Sequence, residues 1–484
     1  MHLRGCIDGV LSWRWHPVSR LSDAALLSLV FVCLGCVSTV PVFNPETASD
    51  ADALKQFQST AAGFEYVDFG SVAVPAANHR HPSGERLREY AASHGHKKRR
   101  SRAPTGAKRG LFLVPPFGGV RLQALINGRQ PVSVKDFCCK TSSGGQWIPA
   151  WIPNLDNWVH VATSFCNIEN LQLPPPHGVS IRYEDSFDAC AYIDQERKVP
   201  VFGIWTDALI QAGWEVGQTL FALPFDFRYG PQTYRKPGRE FERLERAIEG
   251  AVAASGGPVV LAGMSMGAPM AALFLGQHVS EEWKVAHVHS FLSLSGVYGG
   301  AVSPLRGLLT GRWADLVPSF VQTETLQTVR SFESVPWLMP SGNSEVFARD
   351  RVWVSAGGQQ YASRDIGRLL RSAGANQSAL MWEQSGAYRG NAFIPNVTTY
   401  CLYGRGVPTL ASMYWTGEAV GDPDHMTFEP GDGTVLHDSL AVCSGWGKLQ
   451  AAPVHTMTWP NLTHSGILAF EPAFKVLLHV LGLP

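Results

Sequence analysis

The chain has 484 residues, 45% of them hydrophobic and 17% charged, with 40 Lys and Arg balanced by 40 Asp and Glu. A formal charge of zero without basic excess argues against nucleic acid as a partner, and the hydrophobic fraction is that of an ordinary globular chain of two or three structural units. No run of 18 or more uncharged apolar residues occurs in the body of the chain, so no membrane span is expected there.

At the N terminus, Arg4, Arg14 and Arg20 precede an apolar, small-residue stretch over 24–34 that is shorter than a membrane-spanning helix needs. Residues 1–43 therefore read as a secretory signal peptide or, given the long leading region, a signal anchor. Residues 44–109 are polar, poor in β-branched residues, and end in Lys97-Lys98-Arg99-Arg100-Ser101-Arg102. They are expected to form a pro-segment or flexible linker, with the basic run either a processing site or a solvated charge cluster.

Gly110-Leu111-Phe112-Leu113-Val114 is a predicted strand, closed by the turn Pro115-Pro116-Phe117-Gly118-Gly119. Further on, Trp147, Ile148, Trp151, Ile152, Leu155 and Trp158 fall between Cys139 and Cys166 with few charges among them. Tryptophan is enriched where an apolar phase meets water, so Trp147, Trp151 and Trp158 are candidates for docking on a lipid surface, plain core packing being the alternative.

The most informative segment is Val259-Val260-Leu261-Ala262-Gly263-Met264-Ser265-Met266-Gly267-Ala268-Pro269, one serine between two glycines, after a β-branched run and before an apolar helical stretch over 270–275. A strand entering a helix through so sharp a turn strains the serine backbone, and glycine two positions to either side leaves room for it. This is the layout of a nucleophile elbow. Ser265 would stand above the sheet edge, and the amide of Met266, at the positive end of the helix, would face a developing oxyanion. The second oxyanion amide in such sites comes from the loop after an early strand, which makes Phe117 its candidate.

An acid and then a histidine should follow in the chain. Residues 346–382 read as mainly helical and fit a cap unit over the sheet. Glu429-Pro430-Gly431-Asp432-Gly433-Thr434-Val435 brackets one aspartate between glycines on a tight turn, and Asp432 is the candidate acid. Pro460-Asn461-Leu462-Thr463-His464-Ser465-Gly466 places a histidine in a polar loop between a strand-like run and an apolar helical C terminus. Of the 16 histidines, position and order single out His464 as the general base. In this scheme His464 takes the Ser265 proton, Asp432 holds the imidazole tautomer, and an acyl-enzyme forms and is discharged.

Cys138, Cys139, Cys166, Cys190, Cys401 and Cys443 lie in the body of the chain, an even number suited to bridges in an oxidising compartment. Sequons at Asn376, Asn396 and Asn461 suit a secretory route. There is no internal repeat, zinc-ligand spacing or phosphate-cradling loop, so neither metal nor cofactor is expected.

Six segments in order carry a family resemblance. They are 113–119 with Leu122-Gln123-Ala124; Leu223-Pro224-Phe225-Asp226-Phe227-Arg228; Phe291 through Gly300; 335–341; Tyr400-Cys401-Leu402-Tyr403-Gly404 with Gly406-Val407-Pro408-Thr409; and Gly431-Asp432-Gly433-Thr434-Val435. As a set they resemble the lecithin:cholesterol acyltransferase family, from about Gly110 to the C terminus. The resemblance implies an α/β-hydrolase fold over 110–484, a mixed, mostly parallel sheet with flanking helices. It also implies a membrane-binding subdomain over 136–185, a lid over 304–334 and a cap over 335–400. It puts Ser265, Asp432 and His464 in the triad positions and Phe117 and Met266 in those of the oxyanion amides. It pairs Cys139 with Cys166 and Cys401 with Cys443. This chain departs from the family pattern at Met264, where a histidine is usual, at Phe225 and Phe227 in place of tyrosine and tryptophan, and at Val297-Tyr298 in place of Pro-Trp. These changes bear on substrate preference, since those side chains lie on or near the acyl site in the family.

The expected activity is that of a secreted or vesicular serine phospholipase A/acyltransferase, which cleaves an acyl chain from a glycerophospholipid and passes it to water or a sterol or other lipid alcohol. The alternatives are a neutral-lipid lipase or esterase, and a non-catalytic lipid-binding protein on the same scaffold. The expected partners are a phospholipid membrane or lipoprotein surface, and the expected location is outside the cell or in the lumen of secretory or lysosome-like vesicles, peripheral on membranes.

Overall fold

In the computed structural model, residues 108–129, 139–151, 164–312, 322–340, 346–389 and 393–483 are described. The leader, nearly all of the 44–109 segment, Cys138 and Trp158 lie outside them. Thirteen strands occur among the described residues: β1 (Leu111–Val114), β2 (Leu122–Ile126), β3 (Ile148–Trp151), β4 (Val179–Tyr183), β5 (Leu220–Ala222), β6 (Val259–Met264), β7 (Val288–Leu294), β8 (Val352–Ala356), β9 (Gln359–Ala362), β10 (Thr399–Arg405), β11 (Val407–Trp415), β12 (His425–Gly431) and β13 (Val454–Pro460).

β1 and β6 are uninterrupted apolar runs because they are buried on both faces, the signature of a parallel sheet covered by helices. They join a six-stranded sheet in the order β5-β1-β6-β7-β10-β13, every neighbouring pair parallel. The pleat sends Leu111, Leu113, Val260 and Ala262 to one face, against Trp205 and Leu209 of the helix Gly203–Gln211 and Phe474 and Leu477 of the helix Glu471–Val480. Phe112, Val114 and Leu261 go to the other, against Phe241 and Leu244 of the helix Glu240–Ser255 and Met270 and Phe274 of the helix Gly267–Gln277. From β1 the chain runs outward to β5 and then returns to β6 on the other side of β1. Strand order thus reverses at β1, and a crevice opens beyond the carboxyl ends of β1 and β6, where ligands bind in open α/β sheets. The fold is that of an α/β-hydrolase.

Two smaller sheets sit beside this one. In the antiparallel β3-β2-β4 sheet, β3 lies inside the loop closed by the Cys139–Cys166 disulfide, while β2 precedes that loop and β4 follows it. The second has the order β12-β11-β8-β9. It corrects the expectation that 346–382 is mainly helical, because β8 and β9 form a hairpin before the helices Ile366–Ser372 and Asn376–Gln384. Its turn is Gly357-Gly358, both at positive φ, a connection that suits the twist of paired strands. The segment 304–334 also differs from an aperiodic surface loop: the helix Val302–Thr310 is buried throughout and Gln322–Ser331 is helical.

The segment after β5 ties the disulfide-bounded region to the catalytic sheet. Arg228, almost wholly buried, donates Nε and Nη2 to the two carboxylate oxygens of Asp226 at 2.9 and 2.6 Å, and Nη1 to the Leu171 and Gln172 carbonyls at 3.0 and 3.1 Å. Removing one member of a buried ion pair strands the other charge. Arg228→Met is therefore expected to destabilise the protein by about 3–5 kcal/mol in equilibrium denaturant unfolding, with part of the loss recovered by adding Asp226→Leu.

Candidate active site

Ser265 follows β6 at φ +52°, in the left-handed region that non-glycine residues rarely occupy. Such strain is of order 1–3 kcal/mol and persists only where the surroundings impose it. Here both flanking glycines are imposed by contact. A Cβ on Gly263 would lie 2.6 Å from the Gly267 carbonyl oxygen and 2.8 Å from the Ala268 Cα. A Cβ on Gly267 would collide with the carbonyl oxygens of Val114 and Pro115. The elbow is thus pressed directly against the end of β1. The Ser265 amide donates to the Leu294 carbonyl at the end of β7 at 2.9 Å, and the helix Gly267–Gln277 departs immediately.

The Ser265 hydroxyl lies 2.9 Å from His464 Nε2, and His464 Nδ1 lies 2.7 Å from Asp432 Oδ2. With Nδ1–H donating to the carboxylate, Nε2 carries the lone pair that accepts the serine proton, a tautomer assigned from this network. All three groups are buried, Asp432 completely. Its other oxygen, Oδ1, accepts the amides of Thr434 and Val435 at 3.1 and 2.8 Å. The His464 amide donates to the Asp432 carbonyl at 2.8 Å, so backbone as well as side chain registers base against acid. Asn461, at φ +58°, turns the chain after β13 and donates its amide to the Arg405 carbonyl at 2.8 Å.

Asp432 does not come from the central sheet. It follows β12, and Thr409 on the neighbouring β11 steadies its loop: the Thr409 hydroxyl accepts the Gly433 amide at 2.8 Å and donates to the Val407 carbonyl at 2.9 Å. Sequence reasoning did not single out Thr409, since a lone threonine in a β-rich run carries no signal for this task.

On the opposite wall, Pro116 through Gly119 form a β-turn in which the Gly119 amide donates to the Pro116 carbonyl at 3.0 Å and Gly118 adopts φ +71°. This turn carries the Phe117 amide, and the N terminus of the helix Gly267–Gln277 carries that of Met266, where amides have no intrahelical partner. A cleft lies between them, with Phe117, Ile193, Val297 and Leu338 among its apolar walls and Ser265 and His464 also lining it. Among the described residues, no lysine or arginine lines it. Such a cleft suits an apolar chain ending in an ester carbonyl, with a nucleophile, a base and two amides placed for tetrahedral chemistry.

Of the residues that depart from the family pattern, Met264 and Val297 line the cleft. Phe225, Phe227 and Tyr298 are buried beside it, the Tyr298 hydroxyl paired with Ser293 Oγ at 2.6 Å and its pKa pushed up by burial. Among the docking candidates, Trp147 is half-buried with the Arg182 guanidinium 4.1 Å from its ring centroid. Trp151 needs correction as a docking residue: its ring lies 5.4 Å from that of Phe227, and its indole N–H donates to the Gly118 carbonyl at 2.7 Å. It faces the turn that carries Phe117 because the register of β3 against β2 brings it opposite Leu122, just after that turn.

Cys139 is bonded to Cys166 and Cys401 to Cys443, while Cys190 is a buried free thiol. Asn376 and Asn461 are exposed, and the Asn396 side-chain Nδ2 donates to the Glu281 carboxylate at 2.9 Å. Among the described residues, no group of three or more His, Cys, Asp and Glu side chains is placed to hold a metal ion, and no helix is long and apolar enough to cross a membrane.

A family profile described as lecithin:cholesterol acyltransferase matches residues 149–380. The lysosomal phospholipase A and acyltransferase of Mus musculus is 29% identical over 387 residues, covering 77% of this chain and 90% of that protein. Over these residues the chain is similar to the lecithin:cholesterol acyltransferase family. Its similarity extends to the phosphatidylcholine-sterol acyltransferase of Gallus gallus, 28% identical with 75% of this chain and 87% of the relative covered. The Homo sapiens lysosomal phospholipase A and acyltransferase is also 28% identical, covering 78% and 92% respectively. The profile match includes Ser265 but stops short of Asp432 and His464, so for those two residues the assignment leans on geometry.

Thr409→Val keeps the side-chain shape and removes both hydrogen bonds to the acid loop. It is expected to lower kcat on a soluble ester about tenfold with KM little changed, as a small misplacement of the relay would do. An unchanged kcat would show that β11 does not hold Asp432 in place.

Proposed function

We propose that the protein is a serine phospholipase A/acyltransferase acting through an acyl-Ser265 intermediate. The observation that carries this reading is the buried Ser265–His464–Asp432 relay, whose serine and histidine line an apolar cleft. As Ser265 Oγ bonds to the acyl carbonyl carbon of a glycerophospholipid, His464 Nε2 takes its proton, and the carbonyl oxygen becomes an oxyanion facing the amides of Phe117 and Met266. Collapse breaks the bond to the glycerol oxygen, which takes the proton from His464 and leaves as lysophospholipid. Water or a lipid alcohol then attacks the acyl-enzyme with His464 as base, and Ser265 is regenerated as the acid or the new ester departs.

The phospholipid donor and the sterol or other alcohol acceptor are drawn from the relatives, which are named for phospholipase A and acyltransferase activity and for acyl transfer from phosphatidylcholine to sterol. The two disulfides favour an oxidising compartment, and lysosomal relatives favour a vesicular lumen or secretion, with the enzyme peripheral on a membrane or lipoprotein surface. Trp147 and Trp158 remain the docking residues of this reading, and 304–334 its lid. The absence of cationic side chains from the cleft lining also fits an uncharged substrate, which keeps a neutral-lipid lipase as the second reading.

Ser265→Ala is expected to abolish fluorophosphonate labelling and all acyl release while the fold persists by circular dichroism. Asp432→Asn is expected to lower kcat by about 10,000-fold, since it loses the carboxylate that selects the productive tautomer. Labelling that survives Ser265→Ala would remove the nucleophile assignment. Product analysis with phosphatidylcholine against triacylglycerol, with and without added sterol, separates the two readings: acyl release from triacylglycerol alone would favour the lipase.

A further inference from the structure

We propose that Trp151 is a positioning residue for the oxyanion turn, and that the disulfide-bounded subdomain thereby sets the catalytic geometry; this rests on the acyl-Ser265 reading. The peptide joining Gly118 to Gly119 is held at both ends. Its carbonyl accepts the Trp151 indole N–H at 2.7 Å, and its amide donates to the Pro116 carbonyl at 3.0 Å. Rotation of that peptide plane would break two hydrogen bonds at once and leave a half-buried indole N–H without its acceptor. Gly118, at φ +71°, has no Cβ to resist such a rotation, so hydrogen bonds hold the plane, one within the turn and one from Trp151 outside it.

The Phe117 amide sits one residue earlier in the same turn, and its direction is fixed only as firmly as the turn itself. The aromatic contacts act in the same sense. The Phe227 ring packs on Phe117 at 4.9 Å and on Trp151 at 5.4 Å, so the indole and the turn share one wall. Gly119 is locked from the other side, since a Cβ there would lie 2.6 Å from the Pro116 ring.

Trp151 ends β3, whose partner β2 begins three residues after the turn, and β3 itself lies within the loop closed by Cys139–Cys166. A hydrogen-bond donor placed by a separate subdomain thus meets a backbone acceptor in the catalytic crevice. Transition-state binding suffers when such a restraint is lost, whereas ground-state binding of a short ester does not depend on it.

The test uses the full-length enzyme and p-nitrophenyl butyrate, with rates expressed per site titrated by a fluorophosphonate probe so that loss of folded protein cannot imitate the effect. Trp151→Phe keeps an aromatic ring beside Phe227 and removes the N–H. It should lower kcat per titrated site about tenfold or more, leave KM within about twofold, and weaken binding of a trifluoromethyl ketone analogue by the same factor as kcat. Placing 3-benzothienylalanine at 151, which replaces only the N–H by sulfur, should reproduce the loss and serves if the phenylalanine variant folds poorly. Fewer titratable sites with kcat per site and analogue affinity unchanged would overturn the proposal and leave Ser265 as nucleophile. Failure of the wild-type enzyme to label would overturn the acyl-serine reading and this inference together.

Discussion

The close approach of Gly267 to the Val114 and Pro115 carbonyls is the contact on which the rest of the site depends. It sets the distance between the elbow and the turn after β1, and therefore the distance between nucleophile and oxyanion amides. No other residue fits at 267, and the left-handed turn at Ser265 follows from the same crowding. The cost of that strained conformation is met by the parallel pairing of β6 with β1 on one side and β7 on the other, which leaves the chain no relaxed path into the helix.

Charge is handled by a second arrangement, built from a different sheet. A carboxylate removed from water is tolerable only if its oxygens are paired. Asp432 meets that condition with the imidazole on one oxygen and two amides on the other, and its loop is in turn held by Thr409. In the proposed mechanism the central sheet supplies nucleophile, base and oxyanion turn, and the hairpin β11–β12 supplies the acid. Both the backbone and the side chain of His464 are bonded to Asp432. Two subunits of structure are registered to each other at the one place where a fraction of an ångström matters.

Local signals in the sequence foretold local features. Two glycines around one serine after an apolar strand specify a turn by sterics alone, and the alternation of buried and turn-forming segments specifies a covered parallel sheet. What could not be read from spacing is convergence, since 199 residues separate Ser265 from His464 and only tertiary contacts join them. The β8–β9 hairpin was missed although Gly357-Gly358 lies between two strand-like runs, because the helical stretches that follow dominated the reading of 346–382. The helix Val302–Thr310 is buried all round even though Ser303, Arg306 and Thr310 recur along it at helical spacing, so its polar stripe gives no sign of where it sits. Trp151 failed differently: composition reports that an aromatic residue is present but not which way the strand turns it, and a one-residue change of register reverses its face.

That reversal changes how the subdomain closed by Cys139–Cys166 is to be understood. Had Trp151 pointed outward, the subdomain would be an appendage that meets lipid while the catalytic sheet works alone. Facing inward, its indole is bonded to the Gly118 carbonyl, and the Arg228 guanidinium binds the Leu171 and Gln172 carbonyls just beyond the Cys166 end. Subdomain and crevice are therefore joined through an ion pair buried after β5 and through the turn after β1, and the helix Gln322–Ser331 adds bonds from Thr328 to the Ile168 carbonyl and from the Leu173 amide to Ser331. Several attachments fix an orientation where a single one would leave a hinge. In the proposed enzyme, any force that a lipid surface exerts on the subdomain would then be delivered to the turn that carries the Phe117 amide. In the proposed enzyme, recognition of the surface and stabilisation of the transition state are consequently two loads on the same strand.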